Sequence, residues 1–304
     1  MVPPVKIKRT LLMRFFIMLL AAAGALYEET PTASMAIREA LWRQMAAWAG
    51  APGELYAKPR APRLERIGED EIATYYRTWI EVAKGLDQYG LYLVPKAAKG
   101  KRPLVIAMHG GGGTPEMALF QGGANYKDLV RGAAREGYVV YAPLAVQWPF
   151  GDRDRGTAIP KDARDQLDTK LKARGTTLRA LEIAKLRRAL EALLAARGRE
   201  VDGRRIAMIG LSFGAAMTVH TMAAEPRIRA GVASCLPRMK TDLPAEWPAR
   251  ALQVQMGVSD PLIPIAEPRE VLAQGKPATL EYREFEGKHE FHGALAWEFL
   301  RKNL

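Results

Sequence analysis

The chain is poor in the residues that build covalently linked or metal-linked scaffolds. Its 304 residues include one cysteine, Cys235, and four histidines. A single cysteine closes no intrachain disulfide, so the fold must hold by packing, and cysteine usage does not indicate a compartment. Cys235 follows the apolar run 230–234 and reads as a buried structural thiol. Only four serines are present, so a serine inside a motif stands out. Repeats of 20 to 50 residues and low-complexity tracts are absent, which excludes solenoids and propellers. Charge is not scarce but it is uneven. The net charge is +12, and four of the cations are Lys6, Lys8, Arg9 and Arg14, with no acid before Glu28. The remaining Lys and Arg are interspersed with acids, as from Arg179 to Glu191, and read as a solvated basic surface. No basic patch with aromatic platforms and no nucleic-acid module occurs, so no nucleic-acid partner is expected.

What is present is enough apolar material for a core. Hydrophobic residues make up 48% and charged residues 26%, as for one folded domain of ordinary size. The first 25 residues stand apart. A basic stretch over 1–14 precedes the apolar run FFIMLLAAAGAL (15–26), and Ala23-Gly24-Ala25 has the small-x-small pattern of a cleavage site. This is the layout of a secretory signal peptide. The run is shorter than the ~20 residues of a membrane span, so no stable membrane insertion is expected once it is cleaved. An uncleaved anchor starting at Leu11 is the alternative. Without a cysteine near the cleavage site lipoprotein processing is excluded, and without a twin arginine the general secretory route to the periplasm or medium is favoured.

Residues 26–79 read as an N-terminal helical arm and linker. Residues 32–48 carry apolar residues at helical spacing, and 50–64 are rich in Gly, Pro and Arg. Strand-like runs at Thr78–Val82 and Tyr89–Val94 flank Gly85 and Asp87, as in an antiparallel hairpin. From Leu104 onward, buried-type strands alternate with helices. Strands are expected at 104–108, 138–142, 205–209, 230–234, 252–256 and 279–285, and helices at 126–135, 177–196, 214–225, 268–273 and 292–301. Such alternation implies an α/β fold, with a mostly parallel sheet and helices on both faces. Residues 146–175 interrupt it. This charged stretch reads as an inserted loop or small lid, or as a solvated loop with no role.

Gly210-Leu211-Ser212-Phe213-Gly214 matches Gly-x-Ser-x-Gly between the strand at 205–209 and a helix. Composition alone would produce the pattern about 0.03 times in this chain. The chemistry needs the serine on a sharp strand-to-helix turn, with its hydroxyl exposed and the next backbone N–H, that of Phe213, aimed at a forming oxyanion. His109-Gly110-Gly111-Gly112-Gly113 follows the strand 104–108, where Gly110 and Gly111 would supply the second donor. No Gly-Lys-Ser/Thr follows it, and the Rossmann spacing fails. His109 reads as shaping the loop. In this fold the nucleophile, acid and base follow one another in chain order. Asp260, just past the strand 252–256, is the candidate acid, and Asp242 is the other aspartate after Ser212. His289 is the candidate base, with His292 close behind it, while His220 lies two turns down the helix after Ser212 and reads as structural.

The chain resembles secreted α/β-hydrolases of the dienelactone hydrolase, acetyl xylan esterase and prolyl oligopeptidase branch. The stretches that carry the resemblance are YGLYLVP (89–95), PLVIAMHGGGG (103–113), GYVVYAP (137–143), GLSFGAAMT (210–218), DPLIP (260–264) and GKHEFHG (287–293). It spans about residues 80–304, which becomes the expected catalytic domain. It implies the α/β-hydrolase fold and a triad of Ser212, Asp260 and His289 without metal or cofactor. Ala215 replaces the second glycine with which the family's elbow usually ends. The expected activity is hydrolysis of a small-molecule or carbohydrate ester through an acyl-enzyme. A serine peptidase of the same branch and an inactive hydrolase-fold binding protein are the alternatives. Trp148, Phe150 and Trp247 are candidate pocket residues by type and position.

Overall fold

The structure, a computed structural model, describes residues 36–49, 55, 58, 60–96, 100–119, 125–146, 161–239, 248–274 and 278–304. The expected signal peptide, Asp242, Trp148, Phe150 and Trp247 lie outside the described residues. In chain order the elements are α1 (36–49), β1 (Arg63–Glu69), β2 (Ala73–Ala83), β3 (Leu86–Pro95), β4 (Arg102–Met108), α2 (Pro115–Leu119), α3 (Leu129–Arg135), β5 (Val139–Pro143), α4 (Lys161–Lys172), α5 (Leu178–Arg197), β6 (Val201–Leu211), α6 (Phe213–Ala224), β7 (Ile228–Ser234), β8 (Ala251–Gly257), α7 (Ala266–Ala273), β9 (Leu280–Phe285) and α8 (Gly293–Asn303).

The nine strands form one sheet in the order β1-β2-β3-β5-β4-β6-β7-β8-β9. From β5 to β9 the neighbours pair in parallel, and β1, β2 and β3 add antiparallel pairs at one side. The central strands are apolar throughout because both faces are covered: residues 103–108 of β4 and all of β5 are buried. Right-handed crossovers decide which face each helix takes. The step from β4 to β5 and the step from β5 to β6 run in opposite directions across the sheet, so α3 and α5 fall on opposite faces. Accordingly α3 packs with α8, and α5 packs with α6. Strand order reverses about β4, between β5 and β6, which opens a crevice at the C-terminal ends of β4 and β6. The glycine loop leaves one of these ends and Ser212 the other.

Three expectations change. The boundary at 79/80 falls inside β2, and β1 lies wholly in the segment read as arm and linker. Both strands belong to the hydrolase sheet. β1 escaped the sequence reading because a register shift between Arg66 and Gly68 breaks the period of two expected of a strand. The arm's helix α1 is likewise not detached. Leu41, Trp42, Met45 and Ala49 are buried in the main core, and Gln44 bonds Asp87 of β3. Finally, the stretch read as an inserted loop or small lid contains the helix α4. Its apolar anchors are Leu167 and Leu171, one helical turn apart and both buried, with Ala163 partly buried one turn before them, a stripe too narrow on an otherwise charged helix to show in sequence. Among the described residues no helix is long and apolar enough to cross a membrane.

Met45 is fully buried in α1, so Met45→Ala is expected to lower the unfolding free energy by about 2–5 kcal/mol in urea titration. Met117→Ala, on an exposed side chain, should stay within about 0.5 kcal/mol of wild type. Equal small effects would mean that α1 is a detachable arm.

Candidate active site

Ser212 links β6 to α6 at φ 57°, ψ −116°, a left-handed backbone that costs a non-glycine residue of order 1–3 kcal/mol. Its neighbours hold it there. The Ser212 N–H donates to Ser234 O at the end of β7 (2.8 Å), and its carbonyl accepts from Ala216 (3.1 Å). The flanking glycines are required by contact: a Cβ on Gly210 would lie 2.2 Å from Gly214 O, and one on Gly214 2.4 Å from Met108 O. Ala215 is fully buried in the core, so its methyl group is accommodated. Phe213 opens α6, directly after Ser212, in the first turn where backbone N–H groups point out of the helix end.

The loops after β8 and β9 lie side by side because the ladder continues past the strand ends. Val258 donates to Phe285 O (3.0 Å) and Ser259 to Gly287 O (2.9 Å). A Cβ on Gly257 would fall 2.1 Å from Lys288 O, so the close approach needs glycine there. Asp260 is thereby seated with its side chain at 0% exposure. One carboxylate oxygen accepts the N–H groups of Leu262 (2.8 Å) and Ile263 (3.0 Å). The other faces His289 Nδ1 at 2.8 Å. Asp260 begins a turn and orients an imidazole at the same time. His289 keeps 11% side-chain exposure, and its Nε2 is not the nitrogen that meets Asp260. His292 does something else. It caps α8, its Nδ1 accepting the Leu295 N–H at 3.3 Å, and its ring packs on Phe285. The structure therefore brings His289, not His292, to Asp260. His220, on α6, contacts Arg179 at 3.1 Å.

The glycine loop after β4 approaches the serine closely: a Cβ on Gly110 would stand 3.8 Å from Ser212 Cβ. One expected donor is withdrawn, because the Gly110 N–H donates to the Tyr126 hydroxyl at 3.1 Å. Gly111 is exposed at the tip of the loop. His109 is buried, and its Nε2 accepts the Ala145 N–H (3.1 Å), which places its proton on Nδ1 for donation to Gly110 O (2.7 Å). Burial, and secondarily the nearby Arg38 cation, push its pKa down from 6.5 to about 3. It is a neutral loop-shaping residue.

Two residues of this region were not singled out in the sequence. Tyr126 fills the space beside Gly113, whose Cβ would collide with the tyrosine hydroxyl. Arg38, only 2% exposed, reaches from α1 and donates to Gly113 O. Burial lowers its pKa to about 10, against which nearby Tyr126, Glu182 and Glu116 act, so it stays charged at neutral pH. The signal for Arg38 was available: it shares the helical phase of Leu41, Trp42 and Met45, and a cation on an apolar stripe marks a buried polar contact. Tyr126 offered no such pattern.

Cys235 is buried and free. Burial and the neighbouring Asp260 carboxylate push its thiol up to about 12. Its sulfur, Asp260 and His289 offer donor atoms within 4.8 Å of one another. With the thiol held protonated and His289 Nδ1 committed to Asp260, this set fits an acid–base pair beside a neutral thiol better than a cation site.

No protein-family model matches the sequence, and no curated protein matches it significantly. Solved structures do match. Acetyl xylan esterase 1 from Thermoanaerobacterium sp. JW/SL YS485 is similar over 87% of this chain and 93% of its own, at 16% identity and TM-score 0.52. Glucuronoyl esterase from Solibacter usitatus matches over 86% and 91%, at 14% identity and TM-score 0.55. A cold-adapted esterase from an Arctic intertidal metagenomic library matches over 83% and 100%, at 16% identity and TM-score 0.53. With the sheet order and the strained serine turn, these likenesses define the chain as having the α/β-hydrolase fold.

The depressed His109 pKa has a consequence for stability. Above pH 6.5 neither folded nor unfolded chain protonates this group. Below it the unfolded chain takes a proton that folded His109 refuses until about pH 3, so stability falls as the pH drops through that window. Between pH 6.5 and 4.5 the loss should reach ~2–3 kcal/mol. His109→Gln should flatten the dependence in urea titrations across that interval. An unchanged slope would show that His109 is not the residue held neutral.

Proposed function

We propose that the chain is a serine-dependent carboxylic ester hydrolase that acts through an acyl-enzyme on a small-molecule ester, most simply an acylated carbohydrate. The observation that carries this reading is the 2.8 Å pairing of His289 Nδ1 with buried Asp260, on the sheet edge that presents Ser212. Ser212 Oγ attacks the ester carbonyl while His289 Nε2 takes its proton. Asp260 fixes the tautomer and orientation of the imidazole and stabilises the imidazolium. The N–H groups of Phe213 and Gly111 hold the oxyanion, since Gly110 is engaged by Tyr126. The imidazolium then protonates the leaving alcohol, and a water activated by the same histidine releases the acid. Every role is filled by a side chain or backbone group of this chain. The acetyl xylan esterase and glucuronoyl esterase named among the structural likenesses support a carbohydrate ester as substrate.

A fluorophosphonate probe is expected to label Ser212, read by peptide mapping, and Ser212→Ala should abolish labelling. Asp260→Asn should leave the fold intact and lower turnover of an acetyl ester by ~10⁴-fold through loss of the correct tautomer. Folded wild type that neither labels nor hydrolyses acetyl esters would overturn the reading.

The N-terminal basic and apolar segment supports export by the general secretory route, with cleavage after Ala25. N-terminal sequencing of protein from the native host should begin near Leu26. An intact Met1 on soluble cytoplasmic protein would contradict export.

A further inference from the structure

Strand β8 carries two polar residues where a strand covered on both faces is expected to be apolar. Gln253 and Gln255 are both buried, and their spacing of two sets the side chains on one face. Ser234, the register partner of Gln255 on β7, is also buried. Burying such groups costs stability unless each is bonded, and here the bonds form a row. Gln253 Nε2 donates to Glu281 Oε1 on β9 at 2.8 Å. Gln255 Nε2 donates to Gln253 Oε1 (2.7 Å) and to the main-chain carbonyl of His292 (3.2 Å). The Ser234 hydroxyl has one proton and two acceptors at 3.2 Å, Gln255 Oε1 and the carbonyl of Glu290. The row thus ends on the segment that carries His289. That segment is tightly turned: the Glu290 N–H donates to Lys288 O at 2.9 Å, with His289 at the apex. Ser234 also serves the other side of the candidate site, because its own carbonyl accepts the Ser212 N–H at 2.8 Å.

We propose that Ser234 and Gln255 are positioning residues that set His289 against Asp260 and Ser212; this rests on the ester-hydrolase reading of Ser212. An imidazole serves as base only within hydrogen-bond reach of the hydroxyl it deprotonates, and misplacement by ~1 Å can cost ~10²-fold in rate. Asp260 orients the ring, but one bond to a side chain does not fix the backbone from which that ring hangs. Main-chain bonds from other loops hold this backbone at Gly287 O, from Ser259, and at the Phe291 N–H, to Asn125 O (both 2.9 Å). The two side chains from the sheet hold it in between and beyond, at the carbonyls of Glu290 and His292. Ser234 ties the first of these to the residue whose main chain anchors the nucleophile, so one residue spans serine and base. Apolar residues on β7 and β8 could fill the same space. They would leave the Glu290 carbonyl only the weak thiol donor of Cys235 at 3.5 Å, and the His292 carbonyl only its helix bond from Ala296 at 3.2 Å. The buried polar row therefore acts on the histidine turn, beyond what packing of the two strands requires.

The test measures kcat and KM for an acetyl ester on the full-length protein, with folding of each variant checked by circular dichroism. Ser234→Ala and Gln255→Met are expected to lower kcat by ~10-fold or more with KM little changed, as for a misplaced base. Gln88→Met makes the same exchange at another buried amide, one that bonds the carbonyls of Tyr89 and Leu144 instead of the histidine turn. It should cost stability without that loss of kcat. In a His289→Ala background Ser234→Ala should cause no further loss, because it acts only through His289. If Gln255→Met does not fold, Ser234→Ala, which removes a single oxygen atom, carries the comparison. Folded variants that keep the wild-type kcat, or losses that persist in full without His289, overturn the assignment and leave the hydrolase standing. Wild type that neither hydrolyses the ester nor takes the fluorophosphonate label ends the hydrolase reading, and NMR of the His289 ring nitrogens then decides the assignment. A single tautomer protonated on Nδ1 in wild type, replaced by a mixture in Ser234→Ala, supports it; the same spectrum in both overturns it.

Discussion

The backbone of Ser212 is bent into the left-handed region, and much of the molecule is arranged so that this bend persists. Strand β6 must end beside β4, helix α6 must start at once, and three backbones must meet almost in contact. Gly210 and Gly214 remove the two side chains that would prevent it. The hydrogen bond from Ser212 N–H to Ser234 O ties the bend to β7. From there the pairing of β7 with β8 and of β8 with β9 carries the sheet edge outward to the Asp260 and His289 loops. A strained turn of this kind survives only when its surroundings over-determine it, and here the parallel sheet supplies that constraint.

A second layer of order comes from polar groups that the core does not release to water. Arg38, Glu116, Glu182 and Lys185 are all nearly inaccessible. Glu182 accepts the Val146 N–H at 2.7 Å and lies 3.6 Å from Lys185, while the Tyr89 hydroxyl donates a hydrogen bond to Glu116. Such charges are costly to bury, and they favour one arrangement over its near neighbours when they are all partnered. Their effect falls on the glycine loop. Arg38 holds Gly113, Tyr126 holds Gly110, and neutral His109 ties the loop to the end of β5. An N-terminal helix far from the motifs in sequence thus shapes the backbone that faces the candidate nucleophile.

Much of this was legible in the chain itself. The mostly apolar runs at 104–108, 138–142, 205–209 and 230–234 read as strands because a strand covered on both faces has few polar positions, LQVQM at 252–256 added an alternating one, and their alternation with helices implied the α/β fold. The serine turn was legible because glycines flank a serine at a strand–helix boundary. Less regular segments were not. β1 hid behind a bulge, α4 behind a surface almost wholly charged, and the packing of α1 behind a Gly- and Pro-rich segment that resembles a linker.

By itself the sequence determined the period of each element, the need for glycine around Ser212, and the order of serine, acid and histidine along the chain. These are local properties: side-chain volume, φ/ψ preference and spacing. Only the tertiary structure decided which histidine meets Asp260, that Gly110's N–H is already taken, that Arg38 belongs to the glycine loop, and that side chains of β7 and β8 bond the His289 turn. Each of these depends on through-space distances between segments tens of residues apart, set by sheet order and helix packing, which no local pattern encodes.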